Sequence, residues 1–111
     1  MYTLAYSKVV RSDVRTSYTY IKEKLESPMA AENLIIELIN KLNYLKETPL
    51  TRPLVQDNYL ASFKYRSIKV KNHVLYYIVD EGEDKVNIIR FLYNKRDWKN
   101  ILKENNIEKM M

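Results

Sequence analysis

The run Val74-Leu75-Tyr76-Tyr77-Ile78-Val79 constrains this chain more than any other segment. In a strand, alternate side chains point to opposite faces, so Val74, Tyr76 and Ile78 share one face and Leu75, Tyr77 and Val79 the other. Both faces are apolar, and a strand of that kind is stable only when both are covered. Residues 63–70 and 85–93 flank the run with strand-like composition of their own. The joints are short: Lys71-Asn72 on one side, and on the other a turn over 80–84 holding the only glycine, Gly82. The block therefore reads as a three-stranded antiparallel meander that needs a layer on each face.

The rest of the chain supplies candidates for those layers. Residues 1–6 alternate Tyr2, Leu4 and Tyr6 as a short strand, and Ser7 is placed to cap a helix over residues 8 to about 26. Val10, Val14, Tyr18, Ile21 and Leu25 fall on one face of that helix, with Lys22 and Glu26 an i, i+4 pair outside. Pro28 disfavours helical geometry at Ser27 and suits a first helical position, so a second helix follows over residues 29 to about 47. Its buried stripe is Ala31, Leu34, Ile35, Leu38, Ile39, Leu42 and Leu45. Two helices with so short a joint form an αα-hairpin. Residues 48–62, with Pro49 and Pro53 and no periodicity, read as a loop of about fifteen residues, a length that is often functional. Asp97 is placed to cap a short C-terminal helix from Trp98 to about Asn105, with a fraying end over 109–111. One face of the meander belongs on the hairpin, the other under the last helix or a partner. The fold class is α+β: N-terminal strand, αα-hairpin, three-stranded antiparallel meander and short C-terminal helix, in one domain over 1–111.

Composition narrows the chemistry. With no cysteine, disulfides and thiolate metal sites are excluded, which fits a reducing compartment. A single histidine and a single glycine argue against zinc, Cys-His and phosphate-cradling glycine-loop sites, so no metal and no cofactor is expected. No apolar stretch approaches the ~18 residues a membrane helix needs and no leader pattern is visible, so a cytoplasmic protein is expected. The net charge of +5, from 19 Lys/Arg against 14 Asp/Glu, favours an anionic partner. Ten tyrosines suit strands and contact surfaces where a ring is buried and its hydroxyl stays wet.

Two arginines stand inside apolar strand runs, Arg66 in the first strand of the meander and Arg90 in the last. A charge there is costly unless it is paired or serves a surface. Read as neighbours, the two suggest a cationic face able to grip phosphate, continued by the basic-aromatic tail Arg90-Phe-Leu-Tyr-Asn-Lys-Arg-Asp-Trp98.

The element order and a set of local words resemble the RelE/ParE superfamily of bacterial toxins from type II toxin-antitoxin systems. The words are Tyr6-Ser7, Asp13 with Tyr20-Ile21, the 27–31 joint, 45–49, Tyr65-Arg66, Asn72-His73 with Tyr76, and 90–98. The resemblance implies a growth inhibitor neutralised by a cognate antitoxin, reaching operator DNA only through the antitoxin complex. RelE-like members cleave mRNA on the ribosome and ParE-like members poison DNA gyrase; the tail is similar to the ParE pattern, where His often stands at Tyr93.

The first reading is an mRNA endonuclease, with gyrase inhibition by protein binding as the alternative. By the resemblance, Arg66 and Arg90 stabilise the phosphate and Tyr93 stacks on a base or donates a proton. Lys64, Arg52, Lys95 and Arg96 hold RNA, Lys64 sharing strand parity with Arg66. Tyr93 has opposite parity to Arg90, so both meet one site only if the strand twists or ends between them. His73 sits beside a hairpin turn at a position the resemblance gives to the sheet scaffold. The general base is missing: where YoeB-like nucleases carry an acid after a proline in the long loop, this chain has Arg52-Pro53-Leu54. That gap leaves room for gyrase binding, which needs no catalytic set. Tyr and Leu side chains along the hairpin and a sheet edge are the expected antitoxin surface.

Overall fold

The computed structural model describes residues 1–110, and the side chains of residues 1–106. The chain runs β1 (Thr3–Tyr6), α1 (Lys8–Thr19) with a π-helical turn (Tyr20–Lys24), α2 (Pro28–Glu47), α3 (Asn58–Ser62), β2 (Tyr65–Val70), β3 (His73–Asp80), β4 (Lys85–Tyr93) and α4 (Trp98–Met110). The sheet order is β1-β4-β3-β2. The meander is antiparallel and β1 adds to it in parallel, Thr3 opposite Lys85 and Tyr6 opposite Ile88.

The two-sided strand has the expected layers. Leu75 and Tyr77 join Val10, Ile21, Ala31, Leu34, Leu38 and Leu45 of the helical hairpin in one core, with Val79 packed against it. Tyr76 joins Leu60, Tyr65, Ile89, Leu92 and Leu102 in the second, with Val74, Ile78 and Trp98 against it. The α4 layer is locked by the stack of Trp98 on Tyr76, 5.5 Å between centroids, and by the buried Tyr65 hydroxyl donating to Asn106 Oδ1 at 2.6 Å.

Several boundaries differ from the sequence reading. The first helix stops at Lys24, where the π turn closes through Leu25 N–H to the Tyr20 carbonyl and Glu26 takes a left-handed φ of 49°. The Lys22–Glu26 pair is therefore absent, and Lys22 Nζ lies over the Tyr18 ring instead, 5.7 Å away. Ser7 does cap α1, accepting from Val10 N–H at 3.0 Å. Ser27 makes no side-chain cap; Pro28 occupies the first turn alone. Ile39 faces solvent, one 100° step past buried Leu38. The long loop contains α3, capped by Asp57 on Leu60 N–H. β2 begins at Tyr65, and Lys64, at φ 69°, lies before it and does not share the parity of Arg66. In the β3–β4 turn the left-handed residue is Asp84 rather than Gly82. Asp97 accepts from the Asn100 side-chain amide, and α4 runs past Asn105 to Met110; of the expected fraying end, 111 lies outside the described residues.

Candidate functional site

Arg66 and Arg90 are not on adjacent strands, since β3 stands between them. Arg66 pairs opposite Tyr77 and Arg90 opposite Tyr76. Consecutive residues of a strand face opposite ways, so the two arginines leave the sheet on different faces. A bulge fixes this: Tyr76 faces Arg90 and Tyr77 faces Ile88, leaving Ile89 as the extra residue that shifts parity along β4.

Arg90 begins beside Tyr76 and ends on Asp13 of α1. Its Nε donates to Asp13 Oδ2 at 2.7 Å and its Nη2 to Oδ1 at 2.9 Å. Asp13 Oδ2 also accepts from Phe91 N–H at 3.0 Å. The side chains are only 15% (Arg90) and 11% (Asp13) exposed. The local reason is the length of β1. It covers β4 only as far as Ile88, and past that point the β4 backbone needs other partners. Ser7 supplies two, its N–H to the Ile88 carbonyl and its hydroxyl to the Ile89 carbonyl, and Asp13 takes the next group, Phe91 N–H. Arg90 then balances the charge of the carboxylate that closes this edge.

Arg66 is tied differently. Its Nη1 donates to the Arg52 carbonyl, and its buried Nε has no partner. Leu54, where an acid would serve a nuclease, forms an isolated bridge with Arg66. Tyr77, whose burial pushes its phenol up to about 12, donates to the Pro49 carbonyl at 2.9 Å.

The remaining expected residues are spread over the molecule. Tyr93, 42% exposed, pairs opposite His73 and meets its ring edge-on at 5.7 Å. It shares a face with Arg66 but lies four positions away along β3, about 13 Å at ~3.3 Å per residue. Nothing irregular separates Arg90 from Tyr93, so these two keep opposite parity. Lys95 and Arg96 are exposed in the turn after β4, held by Asn94 N–H on the Asn72 carbonyl, at the Lys71 end of the sheet. Lys64 lies at the opposite end, near the Asp80, Glu81, Glu83 and Asp84 turn. Arg52 is exposed on the pinned loop beside β2. His73 is buried scaffold: it stacks on Phe91 at 4.8 Å, with Nδ1 2.9 Å from Asn72 Oδ1 and Nε2 3.1 Å from Ser17 Oγ. Burial lowers its pKa and keeps the ring neutral.

Other features outside the expected set stand out. An open groove of about 320 Å³ between α1 and α2 is lined by Tyr6, Val10, Arg11, Val14, Leu38 and Leu42, and floored by Leu75 and Ile88. Asp13 is the residue that sequence reasoning passed over as a partner; a costly arginine in an apolar run was the signal that a carboxylate waits elsewhere. Among the described residues no group of three or more acidic or histidine side chains is placed to hold a metal, and no helix is long and apolar enough to cross a membrane.

This architecture is shared with solved toxins. It matches a chain of the chromosomal ParDE toxin-antitoxin system of P. aeruginosa with a TM-score of 0.66 at 13% identity, covering 84% of this chain and 96% of that one. It also matches a chain of the intact E. coli RelBE toxin-antitoxin complex (TM-score 0.56, 18% identity, 86% and 100% covered) and the isolated E. coli RelE toxin (0.55, 16%, 100% and 100%). A search of curated proteins finds no match in sequence. The fold is thus that of the RelE/ParE superfamily of toxins. Within it, the family model described as the ParE toxin of the type II toxin-antitoxin system, parDE, matches residues 4–98, and the chain belongs to that family.

Proposed function

We propose that this protein is a cytoplasmic toxin that arrests growth by binding DNA gyrase, without cutting mRNA on the ribosome, and that a cognate antitoxin holds it inactive. The observation that carries this reading is the separation of the two strand arginines, the Arg90 guanidinium being spent on Asp13 at the β4 edge while Arg66 serves the loop beside β2. In-line phosphoryl chemistry needs a cation, a base and an acid around one phosphorus. Here Arg66 and Arg90 leave opposite faces, Arg90 is occupied by Asp13, Leu54 cannot take a proton, and the one histidine is buried. Binding makes no such demand. The antitoxin would cover the apolar groove between α1 and α2, together with exposed Ile36 and Ile39 on α2.

Induced expression with separate readouts of DNA breaks and of ribosome-bound message tests the reading. Growth arrest with gyrase-dependent breaks and intact message is expected. Message cleavage that disappears in Arg66→Ala or Tyr93→Ala would overturn it in favour of the nuclease, and absence of arrest would sink both. Arg90→Ala is a poor probe, because it also leaves Asp13 without its counter-ion.

A further inference from the structure

A second groove of about 320 Å³ lies at the β2 side of the hairpin, lined by Glu37, Asn40, Lys41 and Tyr44 of α2, by Arg52, and by Ile68 and Lys69 of β2. Three cations line it against one carboxylate. Lys41 and Arg52 come from the hairpin side and Lys69 from the edge strand, where it pairs opposite Val74 and so starts toward the α4 side. Among the described residues, none of Lys41, Arg52 and Lys69 has a carboxylate oxygen within 4.0 Å. Exposed cations normally spread apart on flexible segments, yet Arg52 is held in place here. Its carbonyl accepts from Arg66 Nη1. One residue earlier, Thr51 is bonded to the Tyr44 hydroxyl at 2.7 Å, and earlier still the Pro49 carbonyl accepts from Tyr77. Three elements of the fold therefore fix the segment carrying Arg52 against Lys41 and Lys69. A guanidinium carried on a backbone held in this way, with two ammonium groups beside it, fits the several oxygens of a phosphate, whose charge offsets the mutual repulsion of the cations. Tyr44 and Ile68 add apolar surface, and the volume falls in the range of small-ligand sites.

We propose that this groove binds the phosphate group of a nucleotide, Arg52, Lys41 and Lys69 contacting its oxygens and Tyr44 and Ile68 flanking the nucleoside. The site uses none of the three residues expected to do chemistry, Arg66, Arg90 and Tyr93, and shares only Arg52 with the residues expected to hold RNA. The test is titration of the purified protein, followed by amide NMR, with adenosine monophosphate, inorganic phosphate and a single-stranded octanucleotide. Saturable shifts at residues 37–52 and 67–70 are expected with adenosine monophosphate. Arg52→Ala and Lys69→Ala should each weaken binding roughly tenfold, and Glu37→Gln should strengthen it. Arg52 and Lys69 are exposed and Glu37 is half-buried on the helix surface, so an unchanged remaining amide spectrum is required of each variant as a check on the fold. Saturation by the octanucleotide alone, lost in the same variants, assigns the site to phosphate within a chain rather than free nucleotide. Failure of every probe to saturate at millimolar concentration, or binding indifferent to Arg52→Ala and Lys69→Ala, overturns the proposal.

Discussion

The two strands that flank β3 solve one problem in two ways. Each carries an arginine in an apolar run, and each has backbone that no full strand covers. Along β4, past the end of β1, a carboxylate closes the edge: Asp13 accepts Phe91 N–H and both arms of Arg90. Along β2, a loop closes it: Leu54 bridges Arg66, Val55 N–H donates to the Tyr65 carbonyl, and Arg66 holds the Arg52 carbonyl. The first solution is electrically saturated and fixed. The second leaves a buried Arg66 Nε unpartnered and keeps three cations unneutralised nearby. An arginine in a strand is therefore no sign of function in itself; what it is bonded to decides.

The largest effect expected from this contrast is at Asp13. Asp13→Ala removes three hydrogen bonds at once, strands a guanidinium that is 15% exposed, and orphans Phe91 N–H. Removing one partner of a pair this buried costs about 3–5 kcal/mol, so the urea midpoint should fall steeply or the fold be lost. Adding Arg90→Met should recover part of that loss by removing the stranded charge. A cost no greater than that of an ordinary surface ion pair would break the contrast.

How much of this could be read beforehand follows from the range of each interaction. The faces of β3 were legible because a period of two needs only neighbours, and the cores divide Val74, Tyr76, Ile78 from Leu75, Tyr77, Val79 as that period requires. Ser7 was legible as a cap because the bond is local. The Asp13–Arg90 pair joins residues 77 apart in the chain, and no local pattern carries it. The bulge at Ile89 was equally silent, and it governs which way Arg90 starts. Helix α3 was hidden because five residues show no periodicity, although Asp57 ahead of buried Leu60 was a usable sign. The expected site failed to converge for the same reason: the meander's strand order was readable, but neither the bulge that resets parity along β4 nor the distant carboxylate that takes Arg90 was.

Acid should sharpen the contrast from the β4 side. His73 stacks on Phe91, and burial holds its folded pKa below the ordinary value. Below about pH 6.5 the unfolded chain takes up this proton before the folded one does. Stability from neutral His73 is thus fully present above about pH 6.5 and declines as pH falls towards the folded pKa, by at most about 1.4 kcal/mol per pH unit. Urea midpoints at pH 7 and pH 5 should separate by more in the parent than in His73→Gln. Carboxylates titrate in both proteins, so equal separations would show that His73 carries none of the acid sensitivity.

The smallest effect is expected at Arg66, and it is the most informative. Arg66→Met removes the bond to the Arg52 carbonyl, which lies where water replaces it, and also removes a buried Nε that had no partner. The lost bond and the relieved desolvation oppose each other, and the methionine stem keeps much of the packing, so the net change should stay below about 1 kcal/mol. Yet the loop should loosen: exchange of the Val55 amide, which donates to the Tyr65 carbonyl, should quicken while the β4 side keeps its protection. A stability loss approaching that of Asp13→Ala would mean that Arg66 is a staple like Arg90. An unchanged loop would mean that Tyr44 and Tyr77 alone hold Arg52 in place. Either result would erase the distinction between an edge closed by charge and one closed by a loop.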